Sequence, residues 1–179
     1  MNHRLHKNNT MNDLNQLTQQ AIGIAINIHK TLGPGFGETI YKRVLFKELQ
    51  NYKLKVQAEF PIMIIWKDQV IGKQKVDLLV NDTLIIELKA QTQIEDIHLQ
   101  QLLSYLKASK ISLGLVLNFG AKILQIKRVI NSANSDLQFC DFCDTKKEVD
   151  STNDSTSGIT SKSYHKTKSL STHKKTCLI

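Results

Sequence analysis

Apolar residues recur with two different periods along the chain up to residue 130. Over residues 14–32 they return every three or four positions, and this spacing predicts an amphipathic helix. The same spacing predicts further helices over residues 38–52 and 94–109. Runs rich in apolar and β-branched residues predict five strands, over residues 56–66, 69–80, 84–90, 113–119 and 123–130. The predicted order of elements is therefore ααβββαββ.

Short turn-forming segments separate these elements. The sequence GPGFG at residues 33–37 ends the first helix, because glycine and proline favour turns over helix continuation. The dipeptides KD at residues 67–68 and ND at residues 81–82 predict hairpin turns between consecutive strands. Polar residues alternate with apolar ones in the last strand, so we expect it at an edge of the sheet.

The C-terminal part of the chain has a different composition. Of the 29 residues from 151 to 179, 13 are Ser or Thr, and few of the others are apolar. Such a segment cannot bury enough apolar surface to offset the entropy that it would lose on folding. We therefore predict a flexible N-terminal extension over residues 1–11, one folded domain over residues 12–130 and a disordered tail over residues 131–179.

The predicted domain is basic. The chain has a formal net charge of +8, and residues 1–130 contain 17 basic and 10 acidic residues. A basic domain attracts polyanions such as nucleic acid, and Lys42, Arg43, Lys73 and Lys75 are candidates for contacts with its backbone, although a solvated surface explains each of them equally well. The polar N-terminus does not resemble a secretory leader, and no apolar stretch is long enough to cross a bilayer. We expect a cytoplasmic protein without membrane association, and the oligomeric state stays open.

Charged residues interrupt two strands that are otherwise apolar. Asp77 lies in the strand over residues 69–80, and Glu87 and Lys89 share one face of the next strand because side chains alternate along a strand. Burying such charges is costly unless they are paired or bind a metal ion. One hypothesis is a phosphodiesterase centre in which carboxylates bind Mg²⁺ and the lysine stabilises the transition state. The alternative is a salt bridge between Glu87 and Lys89 on an edge strand beside a solvated Asp77.

Two helices carry further polar residues at helical spacing. Glu38 and Tyr41 share a face of the second helix, although the helix dipole alone explains an acid in the first turn. His98, Gln101 and Tyr105 form a polar stripe on the third helix beside its leucines. A solvated surface is the usual explanation for such a stripe, but an imidazole, an amide and a phenol are unusual choices for solubility.

These features form a series of motifs in a fixed order. The series consists of G-x-x-E-x-x-Y (Gly35, Glu38, Tyr41), V-D (76–77), E-L-K (87–89), H-x-x-Q-x-x-x-Y-L (98–106), L-G-L-V-L-N-F-G (113–120) and K-R-V (127–129). Over about residues 12–130 it resembles the GxxExxY protein family, which is placed in the PD-(D/E)XK nuclease-like superfamily. One departure is Val76, which stands before Asp77 where the superfamily motif has proline.

The resemblance implies a fold and a set of site residues. The fold is an α/β, restriction-endonuclease-like (PD-(D/E)XK) core with a central mixed β-sheet flanked by helices. Glu38, Asp77 and Glu87 are expected to bind Mg²⁺ or Mn²⁺, and Lys89 takes the position of the catalytic lysine. Gln101 and Tyr105 match a Q-x-x-x-Y motif that supports the site or contacts DNA in some branches.

The resemblance also implies an activity. We expect a metal-dependent nuclease-like enzyme that hydrolyses phosphodiester bonds in nucleic acid, with DNA as the favoured substrate. The alternative is a non-catalytic nucleic-acid-binding or regulatory module that retains the nuclease fold, because a fold does not fix a function.

Overall fold

The chain forms an α/β structure with the predicted order of elements. A computed structural model describes the backbone of residues 3–131 and 138–141 and the side chains of residues 11–131. The elements are α1 (His3–Leu32), α2 (Glu38–Asn51), β1 (Val56–Trp66), β2 (Gln69–Val80), β3 (Leu84–Lys89), α3 (Asp96–Ser109), β4 (Leu113–Asn118), β5 (Gln125–Ile130) and β6 (Gln138–Asp141). The order ααβββαββ is confirmed from α1 to β5.

Three features differ from the predictions. Helix α1 begins at His3, so the backbone of the predicted N-terminal extension is largely helical. Strand β6 lies within the segment that was predicted to be a disordered tail, and the remainder of that tail from residue 142 lies outside the described residues. The expected edge position of β5 is wrong, because β6 pairs with it in antiparallel orientation.

The strands form one mixed sheet, as the predicted fold class requires. Their spatial order is β1-β2-β3-β4-β5-β6. Only the pair of β3 and β4 is parallel, and the other neighbours are antiparallel. Helix α3 forms the crossover between the two parallel strands, as such a connection requires. Strands β3 and β4 are therefore in the centre of the sheet, where β4 is buried throughout.

Two apolar clusters cover the sheet. The first joins α1 and α2 to alternate residues of β3, which are Leu84, Ile86 and Leu88. The second joins α3 to Ile85, which points to the other face, as the period of a strand requires. The helices thus flank the sheet, and β3 is dry on both sides except at its C-terminal end. No helix within the described part of the chain has the length and apolar character needed to cross a membrane.

Two tight hairpins join β1, β2 and β3. Lys67 and Asp68 form a two-residue loop between the paired Trp66 and Gln69, and Asn81 and Asp82 belong to a three-residue loop between the paired Val80 and Leu84. All four residues have positive φ angles, which are typical of tight hairpin turns. The predicted turns are therefore confirmed. The β1–β2 hairpin is long, whereas β2 and β3 pair only from Leu78 opposite Ile86 to Val80 opposite Leu84.

Candidate active site

The candidate site lies where β2 and β3 stop pairing. At Asp77, which directly precedes Leu78, a side chain replaces the backbone hydrogen bonds between the two strands. Asp77 Oδ2 accepts a hydrogen bond of 2.9 Å from the Leu88 amide. The Asp77 amide donates in turn to Glu87 Oε1 over 3.3 Å. The two carboxylates are thus held side by side at the C-terminal end of the central strand.

Glu87 is a buried carboxyl group, with 4% of its surface exposed. The pKa of Glu87 is raised to about 8, chiefly because burial disfavours the charged form and also because of the charge of Asp77, while Lys89 acts in the opposite direction. Lys89 Nζ lies 3.8 Å from Glu87 Oε2, so the two polar side chains of the E-L-K triplet are within ion-pairing distance when Glu87 is ionised. The strand is central rather than at an edge, however, which rules out the edge-strand part of the structural alternative.

Glu38 belongs to the same electrostatic cluster. It occupies the first turn of α2. The pKa of Glu38 is raised, mainly by partial burial; the charge of Lys89 lowers this pKa by a smaller amount, and the charge of Asp77 raises it. Its carboxyl group is thus near enough to interact electrostatically with Lys89 and Asp77. The structure therefore brings Asp77, Glu87 and Lys89 together, with Glu38 within electrostatic range of them.

Tyr41 explains the spacing of the G-x-x-E-x-x-Y motif. Its hydroxyl donates a hydrogen bond of 2.6 Å to the Gly33 carbonyl and accepts one of 3.2 Å from the Phe36 amide. Its fully buried ring stacks on Phe119, with 4.6 Å between the ring centroids. The tyrosine thus ties the loop before α2 to the helix and to the core. Because Glu38 lies between these anchors, its position is fixed by them.

Sequence reasoning missed the arrangement of Lys42 and Glu59. Lys42 pairs with Glu59 and, over 3.1 Å, with Asp77 Oδ1. Burial acts to lower the pKa of Lys42, but hydrogen bonds to Glu59 and Asp77 outweigh it and raise that pKa, while the bond from Lys42 lowers the pKa of Glu59. Lys42 is one turn after Glu38, a spacing that could have revealed it. Glu59 could not be found this way, because its proximity to Asp77 depends on the pairing of β1 with β2.

Gln101 and Tyr105 form a pair with each other. Gln101 Nε2 donates a hydrogen bond of 2.7 Å to the Tyr105 hydroxyl, and the Tyr105 ring packs in the apolar cluster beneath α3. Within residues 11–131, the hydrogen bonds of this pair do not extend to the acids. His98, which completes the stripe, accepts a hydrogen bond from the Glu95 amide and caps α3.

A buried polar network supports the end of β3. Asn118 is fully buried at the end of β4, accepts a hydrogen bond of 2.9 Å from the Gln91 amide and donates another of 2.9 Å to the Gln91 carbonyl. The Phe119 amide donates to the Lys89 carbonyl over 2.7 Å. Gly120 completes this junction, since a Cβ there would lie 2.5 Å from backbone atoms of Ala90 and Gln91. The network fixes the backbone that carries Lys89.

The donor atoms at the site fit a hard divalent cation. Over residues 11–131, no three His, Cys, Asp or Glu side chains converge closely enough to enclose a metal ion. Mg²⁺ keeps several waters, however, and often takes only one or two carboxylates from the protein. Asp77 and Glu87 provide two adjacent carboxylates, and each oxygen of Asp77 accepts one hydrogen bond and so retains a second lone pair.

Comparison with known proteins gives the class. Residues 15–129 match the family model of the PD-(D/E)XK nuclease superfamily. Because this match spans more than half of the sequence, the chain belongs to the PD-(D/E)XK nuclease superfamily. The assignment supports a nuclease-like function toward nucleic acid, and nucleases of this superfamily generally use divalent metal ions.

Comparisons with solved structures and with curated proteins do not extend this assignment. The crystal structure of SSO0001 is similar to the chain at 20% sequence identity, with a TM-score of 0.43. The similar region covers 52% of this chain and spans about half, 49%, of that one. A TM-score of this size does not carry an argument about fold or activity. A search of curated proteins finds no match.

Proposed function

We propose that the protein is a metal-dependent nuclease of the GxxExxY type that hydrolyses phosphodiester bonds in DNA. The observation that supports this most is the placement of Asp77, Glu87 and Lys89 together where β2 and β3 separate. A central strand that is otherwise dry carries an acid and a lysine on one face, beside a second acid. Such a cluster is costly to bury, and a chemical role explains why it is there.

Each residue has a role in this proposal. Asp77, Glu87 and Glu38 would bind Mg²⁺ or Mn²⁺, which when bound would supply a nucleophilic water and neutralise charge on the phosphate. Water attacks phosphorus and releases a proton to solvent, the bond from phosphorus to the leaving oxygen breaks, and that oxygen takes up a proton from solvent. Lys89 orients the attacking water and stabilises negative charge that develops on the phosphate oxygens. Gln101 and Tyr105 support the site through α3 or contact DNA.

The protonation of Glu87 is linked to the binding of the metal ion. With a pKa of about 8, this carboxyl group holds a proton at neutral pH when no metal ion is bound. It must release that proton before its oxygens can bind a cation, so binding of the metal ion and deprotonation of Glu87 are linked. Asp77 Oδ1, for its part, is paired with Lys42 Nζ over 3.1 Å.

A non-catalytic nucleic-acid-binding module is the second candidate. The observation that favours it is that Lys42 lies 3.1 Å from Asp77 and Lys89 lies 3.8 Å from Glu87, so lysines of the chain itself accompany both acids. A module that had lost catalysis could keep these contacts as a structural cluster.

The nuclease proposal is tested with the purified full chain and several substrates. Plasmid, linear duplex and single-stranded DNA, and RNA, are incubated with Mg²⁺, Mn²⁺ or EDTA, beside the variants Asp77→Ala and Lys89→Ala. We expect cleavage with Mg²⁺ or Mn²⁺ that EDTA abolishes and that both variants lose. Cleavage that survives both substitutions would contradict the proposed centre.

Thermal unfolding separates the two candidates if no cleavage is found. A metal ion that binds the folded state raises Tm, and the rise depends on its concentration. Stabilisation of the wild type by Mg²⁺ that is absent in Glu87→Ala identifies a metal-binding protein. No stabilisation in the wild type identifies the metal-independent module.

A further inference from the structure

The outer half of the β1–β2 hairpin exposes apolar side chains. Strand β2 is exposed from its start at Gln69 up to residue 75, and β1 is largely exposed from Met63 onward. Ile65 and Val70, which are directly opposite each other, are 62% and 58% exposed. Apolar side chains in this part of the hairpin are thus exposed to solvent rather than covered by a core. Exposed apolar patches mark sites of interaction.

One face of the hairpin combines these apolar residues with lysines. Residues that oppose each other across an antiparallel pair share a face. Lys75 is opposite Pro61, Lys73 is opposite Met63 and Val70 is opposite Ile65. The other face carries Phe60, Ile62 and Ile64, which pack with the cluster beneath α3. The exposed face therefore has lysines nearer the centre of the sheet and apolar residues nearer the turn. We call this surface, formed by Pro61, Met63, Ile65, Val70, Lys73 and Lys75, the hairpin face.

The hairpin face leads to the acids of the candidate site. Lys75 Nζ lies 4.0 Å from Glu59 Oε2. Lys42 then connects Glu59 to Asp77. This chain of ion pairs links the hairpin face to Asp77, which lies beside Glu87.

We propose that the hairpin face binds one nucleic-acid strand with unpaired bases and guides it to the candidate site. Lys73 and Lys75 pair with its phosphates, and Met63, Ile65 and Val70 contact the faces of its bases. The inference rests on the proposed function, since it names the substrate form on which that site acts. It adds that the favoured substrate is single-stranded or has an unpaired end.

Two features favour this occupant over others. A duplex keeps its base faces stacked inside and offers an apolar surface little beyond thymine methyl groups, whereas an unpaired strand exposes the base faces themselves. A second copy of the chain would explain the apolar residues alone. The hairpin between residues 60 and 76 carries three lysines and one aspartate, and this excess of positive charge complements a polyanion.

Binding is measured without hydrolysis, so that the test does not depend on catalysis. The full chain with Glu87→Gln is titrated in EDTA into labelled single-stranded DNA and labelled duplex DNA of equal length, and anisotropy is recorded. Two double variants are made in this background. One combines Lys73→Ala with Lys75→Ala, and the other combines Ile65→Ser with Val70→Ser. The matched control is the pair Lys107→Ala and Lys122→Ala, two exposed lysines outside the hairpin. Trp66, the single tryptophan of the chain, reports occupancy of the hairpin through its emission.

We expect tighter binding of the single strand than of the duplex. Loss of Lys73 and Lys75 should weaken single-strand binding at least ten-fold and lower the slope against log salt by about 0.7 for each phosphate contact. The serine pair should weaken single-strand binding about five-fold with little change for the duplex. The lysine control should stay within about two-fold.

Three outcomes would overturn the inference. These are equal affinity for single strand and duplex, equal losses in the hairpin and control lysine pairs, or a wild-type dimer that the serine pair converts to monomer with unchanged DNA binding. The last outcome would assign the face to a second copy. If the wild type cleaves DNA and the hairpin variants bind normally, only the hairpin inference fails. If the hairpin variants lose binding and the wild type never cleaves, only the nuclease proposal fails.

Discussion

Strand β3 and the outer half of the β1–β2 hairpin depart from the usual distribution of side chains in opposite ways. Strand β3 carries Glu87 and Lys89 in the interior of the sheet, whereas the hairpin exposes Ile65 and Val70 to solvent. Each departure costs free energy, and neither improves the packing of the fold. We therefore connect the buried charges of β3 with the proposed chemistry and the exposed apolar side chains of the hairpin with the proposed recognition of a strand.

The largest expected effect concerns the lysine of the buried strand. Lys89→Ala should lower the rate of DNA cleavage by about 10²- to 10³-fold, because it removes a fixed cation from the place where charge develops on phosphate. Single-turnover cleavage under saturating Mg²⁺ measures this loss. Lys107→Ala, which removes an exposed lysine of α3, should leave the rate unchanged. Equal rates in the two variants would remove Lys89 from the mechanism.

The next effect compares two glycines. Gly120→Ala places a methyl group against backbone atoms at the end of β3, so it should lower the free energy of unfolding by about 1–3 kcal/mol or more. Gly72 is in the exposed hairpin with no atom within 4 Å of its Cβ position, and Gly72→Ala should change stability by less than about 0.5 kcal/mol. Urea denaturation measures both. Similar values would show that the junction at Gly120 is not tightly packed.

Protonation of Glu87 should make stability depend on pH in divalent-free buffer. The folded protein holds this proton up to a pKa of about 8, whereas the unfolded chain releases it near the ordinary value of 4.5. The folded state therefore binds more protons between these values, and its stability falls as pH rises from about 4.5 to 8. Chemical denaturation across this range, for the wild type and Glu87→Gln, isolates the contribution. A difference between the two that does not change with pH would contradict it.

The smallest effect is expected in the hairpin. Ile65→Ser should change the free energy of unfolding by no more than about 0.5 kcal/mol, because the side chain is already in solvent. Ile62→Ser, in the same strand but on the buried face, should cost about 2–5 kcal/mol. Thermal unfolding of both variants provides the check. A large loss with Ile65→Ser would mean that the residue is covered in solution.

The sequence predicted most of the fold because its signals are local. Apolar periodicity located three helices and five strands, and the dipeptides at residues 67–68 and 81–82 located both hairpin turns. Strand β6 was missed because its four residues are too few to establish a period. The start of α1 was missed for a similar reason, since the segment before residue 12 is polar and carries no apolar stripe.

The candidate site was predicted only in part. Glu38, Asp77, Glu87 and Lys89 stood out because a charge within an apolar segment is visible in one dimension. The proximity of Glu59 to Asp77 was not visible, because it depends on which residues of β1 and β2 oppose each other. The exposure of the hairpin was also missed, since an apolar run such as residues 60–66 gives no sign that half of it lacks a covering helix.

The rate of DNA cleavage as a function of Mg²⁺ concentration, in the wild type and in Glu87→Gln, tests the central claim most directly. That claim is that Asp77, Glu87 and Lys89 form a metal-dependent hydrolytic centre. We predict a rate that is zero in EDTA and saturates with Mg²⁺ in the wild type, and a rate at least about 100-fold lower at every concentration in the variant. Cleavage that persists in EDTA, or equal curves for the two proteins, would contradict it.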